Sequence, residues 1–167
     1  MKVQGAPIAR RRALTFVAVA AVALSVAATA GTGPLPSDLR AVKAASARFH
    51  SLAQAEQAGY FRESPCIPAE GIHYGKPSLL MDAELDPKRP ELLLYELKPN
   101  GKLRLVGVEY FIAADAVTSR PSLFDQPFVG PMPGHSPGQP AHYELHVSLW
   151  QPNPNGIFAQ VNPNVDC

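Results

Sequence analysis

The chain has 167 residues, of which 46% are hydrophobic. At roughly 100–200 residues per domain that makes one globular domain, and it excludes a disordered chain. Of 15 Lys plus Arg, four (Lys2, Arg10, Arg11, Arg12) lie in the first twelve residues; the rest of the chain has 11 basic against 14 acidic residues, net −3, so no basic stripe points to nucleic acid as a partner.

Residues 1–30 read as a secretory signal peptide. Arg10–Arg12 form a positive start, Ala13–Ala28 is an uncharged apolar run, and Ala28-Thr29-Ala30 is a small-x-small cleavage site. The run is short of the ~20 residues of a spanning helix, so no membrane attachment is expected after cleavage. The arginines leave the general and twin-arginine export routes both open. The mature chain would be secreted or periplasmic. Its two cysteines, Cys66 and Cys167, are then most simply a disulfide.

Residues 31–36 form a Gly/Pro leader, and 37–167 a single domain. Ser37 is the expected N-cap of a helix, with Asp38 in its first turn. Leu39, Val42, Ala45, Phe49, Leu52 and Ala53 give one apolar stripe. Ser51 with Gln54 resembles a capping box, so a break near His50 is expected, and Gly59 is the expected stop. His50 falls off the stripe and reads as a surface residue.

Strands follow. Glu91–Leu97 and Lys102–Ile112 flank Asn100-Gly101, a strong hairpin signal. A two-residue turn there pairs Leu92 with Glu109, Leu93 with Val108 and Tyr95 with Val106. Both hairpin faces are apolar, which leaves Glu109 among leucines beside Gly107. Arg120–Pro140 holds six of the chain's 18 prolines and is expected to be a long ordered loop without regular structure. Ala141–Trp150 alternates as a strand, and Ile157–Val161 is expected to be a last short one. A helix followed by antiparallel strands makes an α+β domain.

Chemistry concentrates on the strand after the proline loop. Alternation puts His142, Glu144, His146, Ser148 and Trp150 on one face. Neighbours on that face are ~6.6–7 Å apart, so Glu144 with one flanking histidine is the expected core of a site. Glu109, His73 and His135 are the candidates to complete it. The candidate metal ligands are thus His73, His142, Glu144 and His146, with Glu109, His135 and Trp150 as candidate ligand-binding residues. Imidazole suits Zn or Cu. Two motifs fail: His142-x-x-x-His146 lacks the glutamate position and the helix of a zinc protease, and Gly134-His135-Ser136-Pro137-Gly138 has no N–H after its serine for an oxyanion hole.

From about Phe49 to Cys167 the chain resembles a family of exported bacterial proteins without assigned activity. The resemblance is carried by Gly71-Ile72-His73-Tyr74, Pro90-Glu91 with Leu94-Tyr95, Leu105–Tyr110, Pro131–His135, His142-Tyr143-x-Leu145-His146-Val147 and the closing Asn162-Pro163-x-Val165-x-Cys167. It implies an exported domain, and it implies no substrate and no site residue. Three readings stay open: a small exported domain binding a transition metal or small ligand, a secreted enzyme with Glu109 or Glu144 as acid/base, and a structural or interaction module.

Overall fold

The computed structural model describes residues 34–135 and 138–167. The expected signal peptide, the first half of the leader, and Ser136 and Pro137 lie outside them. The chain opens with helix α1 (Ser37–Ser46), a 3-10 turn over Ala47–His50 and helix α2 (Leu52–Gln57). It continues through β1 (Phe61–Arg62), β2 (Ile72–Gly75), a short helix α3 (Pro77–Leu80), β3 (Leu92–Leu97) and β4 (Leu103–Ala113). The last strands are β5 (Ser122–Leu123), β6 (Gln126–Pro127), β7 (Val129–Met132) and β8 (His142–Val147). The fold is α+β, as the order of elements implies.

The helix breaks where expected, but two of its details differ. Pro36, not Ser37, holds the N-cap position, and Ser51 makes no side-chain cap bond. Ser51 instead adopts extended backbone, which resets the helical phase. Ala55 is therefore buried in α2 while Ala53 is exposed. Gly59 ends α2 with φ +91°. The Gly59 N–H donates to Glu56 O at 2.9 Å and the Tyr60 N–H to Ala55 O at 3.0 Å, the double bond of a Schellman stop.

Six strands form an antiparallel sheet in the order β1-β2-β3-β4-β8-β7. The β3–β4 hairpin corrects the expected register in its outer half. Leu92 pairs with Glu109, Leu93 with Val108 and Leu94 with Gly107; then Tyr95 pairs with Leu105, Glu96 with Arg104 and Leu97 with Leu103. The turn contains three residues rather than two: Lys98 N–H donates to Lys102 O, and Gly101 sits at φ +77°. That turn shifts the register by one residue, and a bulge at Val106 absorbs the shift before Glu109 is reached. Leu105 thus joins the main core, and Val106 goes to the opposite face with Leu94 and Val165.

The Arg120–Pro140 segment was expected to lack regular structure; it contains β5, β6 and edge strand β7, which pairs Val129 with Glu144 and Met132 with His142. Ile157–Val161 is not a strand. Its backbone serves side chains and loops instead, with Ile157 O accepting from Ser148 N–H and Gln160 O facing His146.

The two sheet faces differ. Against one pack α1 and α2, burying Leu39, Val42, Phe49 and Ala55 on Leu93, Tyr95, Val108, Tyr110, Leu145 and Val147. Of the tyrosines in this core, three place their hydroxyls on backbone carbonyls: Tyr60, Tyr95 and Tyr110 donate to Pro90 O, Phe49 O and Pro87 O at 2.6–2.7 Å. The other face is covered by loops: residues 63–71, His135 with Gln139 and Pro140, and the C-terminal stretch from 157 onward. A Cys66–Cys167 disulfide ties the first of these loops to the chain end. No helix among the described residues is long and apolar enough to cross a membrane.

Candidate metal centre

Strand register builds the site. Glu109 and His146 are directly opposite in the β4–β8 ladder, as are Phe111 and Glu144, and Ala113 and His142. His73 lies opposite Leu94 on β2, while Glu109 lies opposite Leu92. Each pairing places the side chains on the loop-covered face. His73 and Glu109 then meet diagonally across β3, with His73 Nε2 3.3 Å from Glu109 Oε2. His146 Nε2 approaches the same oxygen at 3.4 Å and Glu144 Oε1 at 3.8 Å. His142 Nε2 lies 3.1 Å from Glu144 Oε2. Glu109, His146 and His73 are 3%, 5% and 8% exposed.

The outer nitrogens of His73, His142 and His146 are all engaged. His146 Nδ1 lies 2.7 Å from Gln160 O, and His142 Nδ1 lies 3.1 Å from Pro140 O. A carbonyl can only accept, so in both rings Nδ1 is the donor. Ser64 gives its hydroxyl hydrogen to Pro65 O and accepts from the backbone N–H of His73, so its oxygen is an acceptor also for His73 Nδ1 at 3.1 Å. In each neutral ring the Nε2 lone pair therefore points inward, toward a carboxylate. Such a hydrogen bond on the far nitrogen fixes the ring and tautomer of a histidine that ligates a metal. Lone pairs facing carboxylate oxygens are stable only with a cation between them, either a proton or a metal ion.

The charges follow from this. Burial drives the His73 imidazole down, to the neutral form. Burial also opposes charge on His146, but Glu109 and Glu144 outweigh it and push that ring up to about 9. Burial alone would raise Glu109; the surrounding histidines more than offset it and hold the carboxyl low. Even so, Glu109 Oε2 is buried without a hydrogen bond. A charged oxygen enclosed in this way is costly unless something else neutralises it.

Two sets of three side chains each bring one ligand atom apiece within 4.8 Å of one another: His73, Glu109 and His146, and His135, His142 and Glu144. Both sets could hold a metal ion. The first is fully buried, whereas His135 in the second is exposed. In the second set His142 and Glu144 already satisfy each other, and Gln160 Nε2 donates to Glu144 Oε1. Glu144 stands between the sets.

The structure thus brings His73, Glu109, His142, Glu144 and His146 together, with His135 at their edge. Trp150, expected on the same face, is elsewhere. β8 ends at Val147, and the Trp150 indole packs edge-on against His50 at 5.0 Å and beneath Lys43 on the helix side of the sheet. Glu70, 3.8 Å from His73 Nε2, and the positioning residues Ser64 and Gln160 were not anticipated. They lie in loops, where no periodicity marks them.

No protein-family model matches the chain, and neither the curated proteins nor the solved structures contain a match.

Proposed function

We propose that this protein is an exported domain that binds one divalent transition-metal ion, zinc in first place, through His73 Nε2, Glu109 Oε2 and His146 Nε2. One observation carries the reading: the buried Glu109 Oε2, without a hydrogen bond, lies 3.3 and 3.4 Å from two inward-facing Nε2 atoms. Ligand atoms of a tetrahedral zinc with bonds of ~2.0–2.1 Å stand ~3.3 Å apart. Nitrogen and carboxylate donors suit zinc, and copper is the competitor. Export is supported by the apolar run behind Arg10–Arg12 and by the disulfide.

The test is a zinc titration of chelator-treated protein. One ion per chain is expected, with Glu109→Gln binding at least about 100-fold more weakly and His50→Ala, on the helix side, binding like the parent. Uptake of neither zinc nor copper by the parent, or unchanged binding in Glu109→Gln, overturns the assignment. Export has its own check: the intact mass of secreted protein should correspond to a chain starting at Gly31.

A further inference from the structure

The metal centre has an open side. A pocket of about 450 Å³ reaches His73 and Glu109 from the surface, but not His146 or Glu144, which lie behind them. Its walls are Ile67, Leu80, Met81, Leu92, Phe111 and Pro140, drawn from the disulfide-tied loop, α3, the sheet and the proline-rich segment. The size is that of a small-molecule site. Three protein ligands leave a tetrahedral ion one free position, and His73 and Glu109 are the two ligands exposed to this space. Among the described residues lining the pocket there is no Lys or Arg, while Glu63 contributes a carboxylate beside Ser64 and Pro65. Besides the metal itself, the basic side chains a charged anion would meet among the described lining residues are the imidazoles of His73 and His135.

We infer that the pocket is a binding site for a small, uncharged and largely apolar molecule that ligates the metal through one end and lies along Leu80, Met81, Leu92 and Phe111 with the other. This rests on the metal assignment above. Apolar walls reward each methylene removed from water. The carboxylate of Glu63 and the lack of a Lys or Arg disfavour a negatively charged tail.

Hydroxamic acids are suitable probes: the free acid is uncharged at neutral pH, and a constant head can carry different tails. The head releases a proton to solvent as it chelates the ion, which expands to five-coordinate. Zinc is first titrated into metal-free protein alone. The zinc-loaded protein is then titrated with acetohydroxamic acid, octanohydroxamic acid and the monohydroxamate of suberic acid, whose tail ends in a carboxylate. The octanoyl compound should bind about 30-fold tighter than the acetyl compound, and the suberic compound about tenfold weaker than the octanoyl one. Met81 is 78% exposed, so Met81→Asp should leave the fold and zinc affinity unchanged. It should remove most of the advantage of the octanoyl tail while sparing acetohydroxamic acid. Zinc uptake without tail-length dependence, or a Met81→Asp variant that keeps the full advantage, overturns the pocket assignment alone. Absence of both zinc and copper uptake overturns the metal assignment and this inference with it.

Discussion

Glu91 shows what burial does to one carboxyl away from the candidate metal centre. It is fully buried; Oε2 accepts the Phe111 N–H at 3.2 Å, and Oε1 has no hydrogen bond. Desolvation pushes it up to about 8. Between the ordinary glutamate value of ~4.3 and that point, the folded state keeps a proton that the unfolded chain has lost. Stability should therefore fall as pH rises through this window, by at most roughly 1.4 kcal/mol per pH unit from this group. Glu91→Gln is neutral throughout and should flatten the slope. Its melting temperature relative to the parent should be higher at pH 8.5 than at pH 5; parallel pH profiles would sink the idea. Glu109 differs from Glu91 because histidines face it, and Glu91 has none. Sequence alone flagged Glu109 as the carboxylate needing a partner, since it interrupts an apolar alternation. It did not flag Glu91, which sits at a strand entrance after Pro90.

At the scale of elements, the β3–β4 hairpin sets the position of Glu109. The bulge at Val106 and the glycine after it belong together. A Cβ on Gly107 would lie 2.6 Å from Val147 O, a backbone atom that cannot retreat without opening the β4–β8 ladder. Gly107→Ala should cost about 1–3 kcal/mol and also weaken zinc binding, because it displaces β8 and with it His146. Gly101→Ala supplies the control. Strain at φ +77° costs roughly 1–2 kcal/mol, but nothing lies within 4 Å of its new Cβ, and zinc affinity should not change. The two variants are compared by melting temperature and zinc titration. Equal zinc affinities would mean that the bulge does not position the site. Alternation predicted the facing of Glu109 because the register beyond the bulge follows the simple pairing. It failed at Tyr95 and Leu105 because a three-residue turn and a bulge each shift the ladder by one, and neither has a hydrophobic signature.

In the whole molecule, the helices stabilise one sheet face and leave the other to loops. Two of those loops, residues 63–71 and the C-terminal stretch, are joined by the Cys66–Cys167 bond between positions 101 apart in sequence. Replacing both cysteines by serine should cost up to about 4–5 kcal/mol in the chain-entropy account, measured by guanidinium unfolding. Ser64 and Gln160, which orient His73 and His146, sit in the two segments that the bond joins. Zinc affinity of the folded double variant should therefore drop more than about tenfold, the usual cost of disturbing a ligand's outer hydrogen bond. A folded variant that binds zinc as tightly as the parent would show that the loops are held in place without the crosslink.

Local order and chemistry were legible in the residues themselves. Periodicity gave the broken helix, Asn100-Gly101 the hairpin, and an even cysteine pair the crosslink, because each depends on neighbours in sequence or on composition. The facing of His142, Glu144 and His146 was legible too, since a strand has a period of two whatever it packs against. Which of these side chains touch was decided only by tertiary structure. His73 reaches Glu109 because β2 and β4 flank the same central strand, and Trp150 leaves the group because the chain turns after Val147. Strand order, and the loops that cover a face, come from contacts far apart in the chain, and no local pattern encodes them.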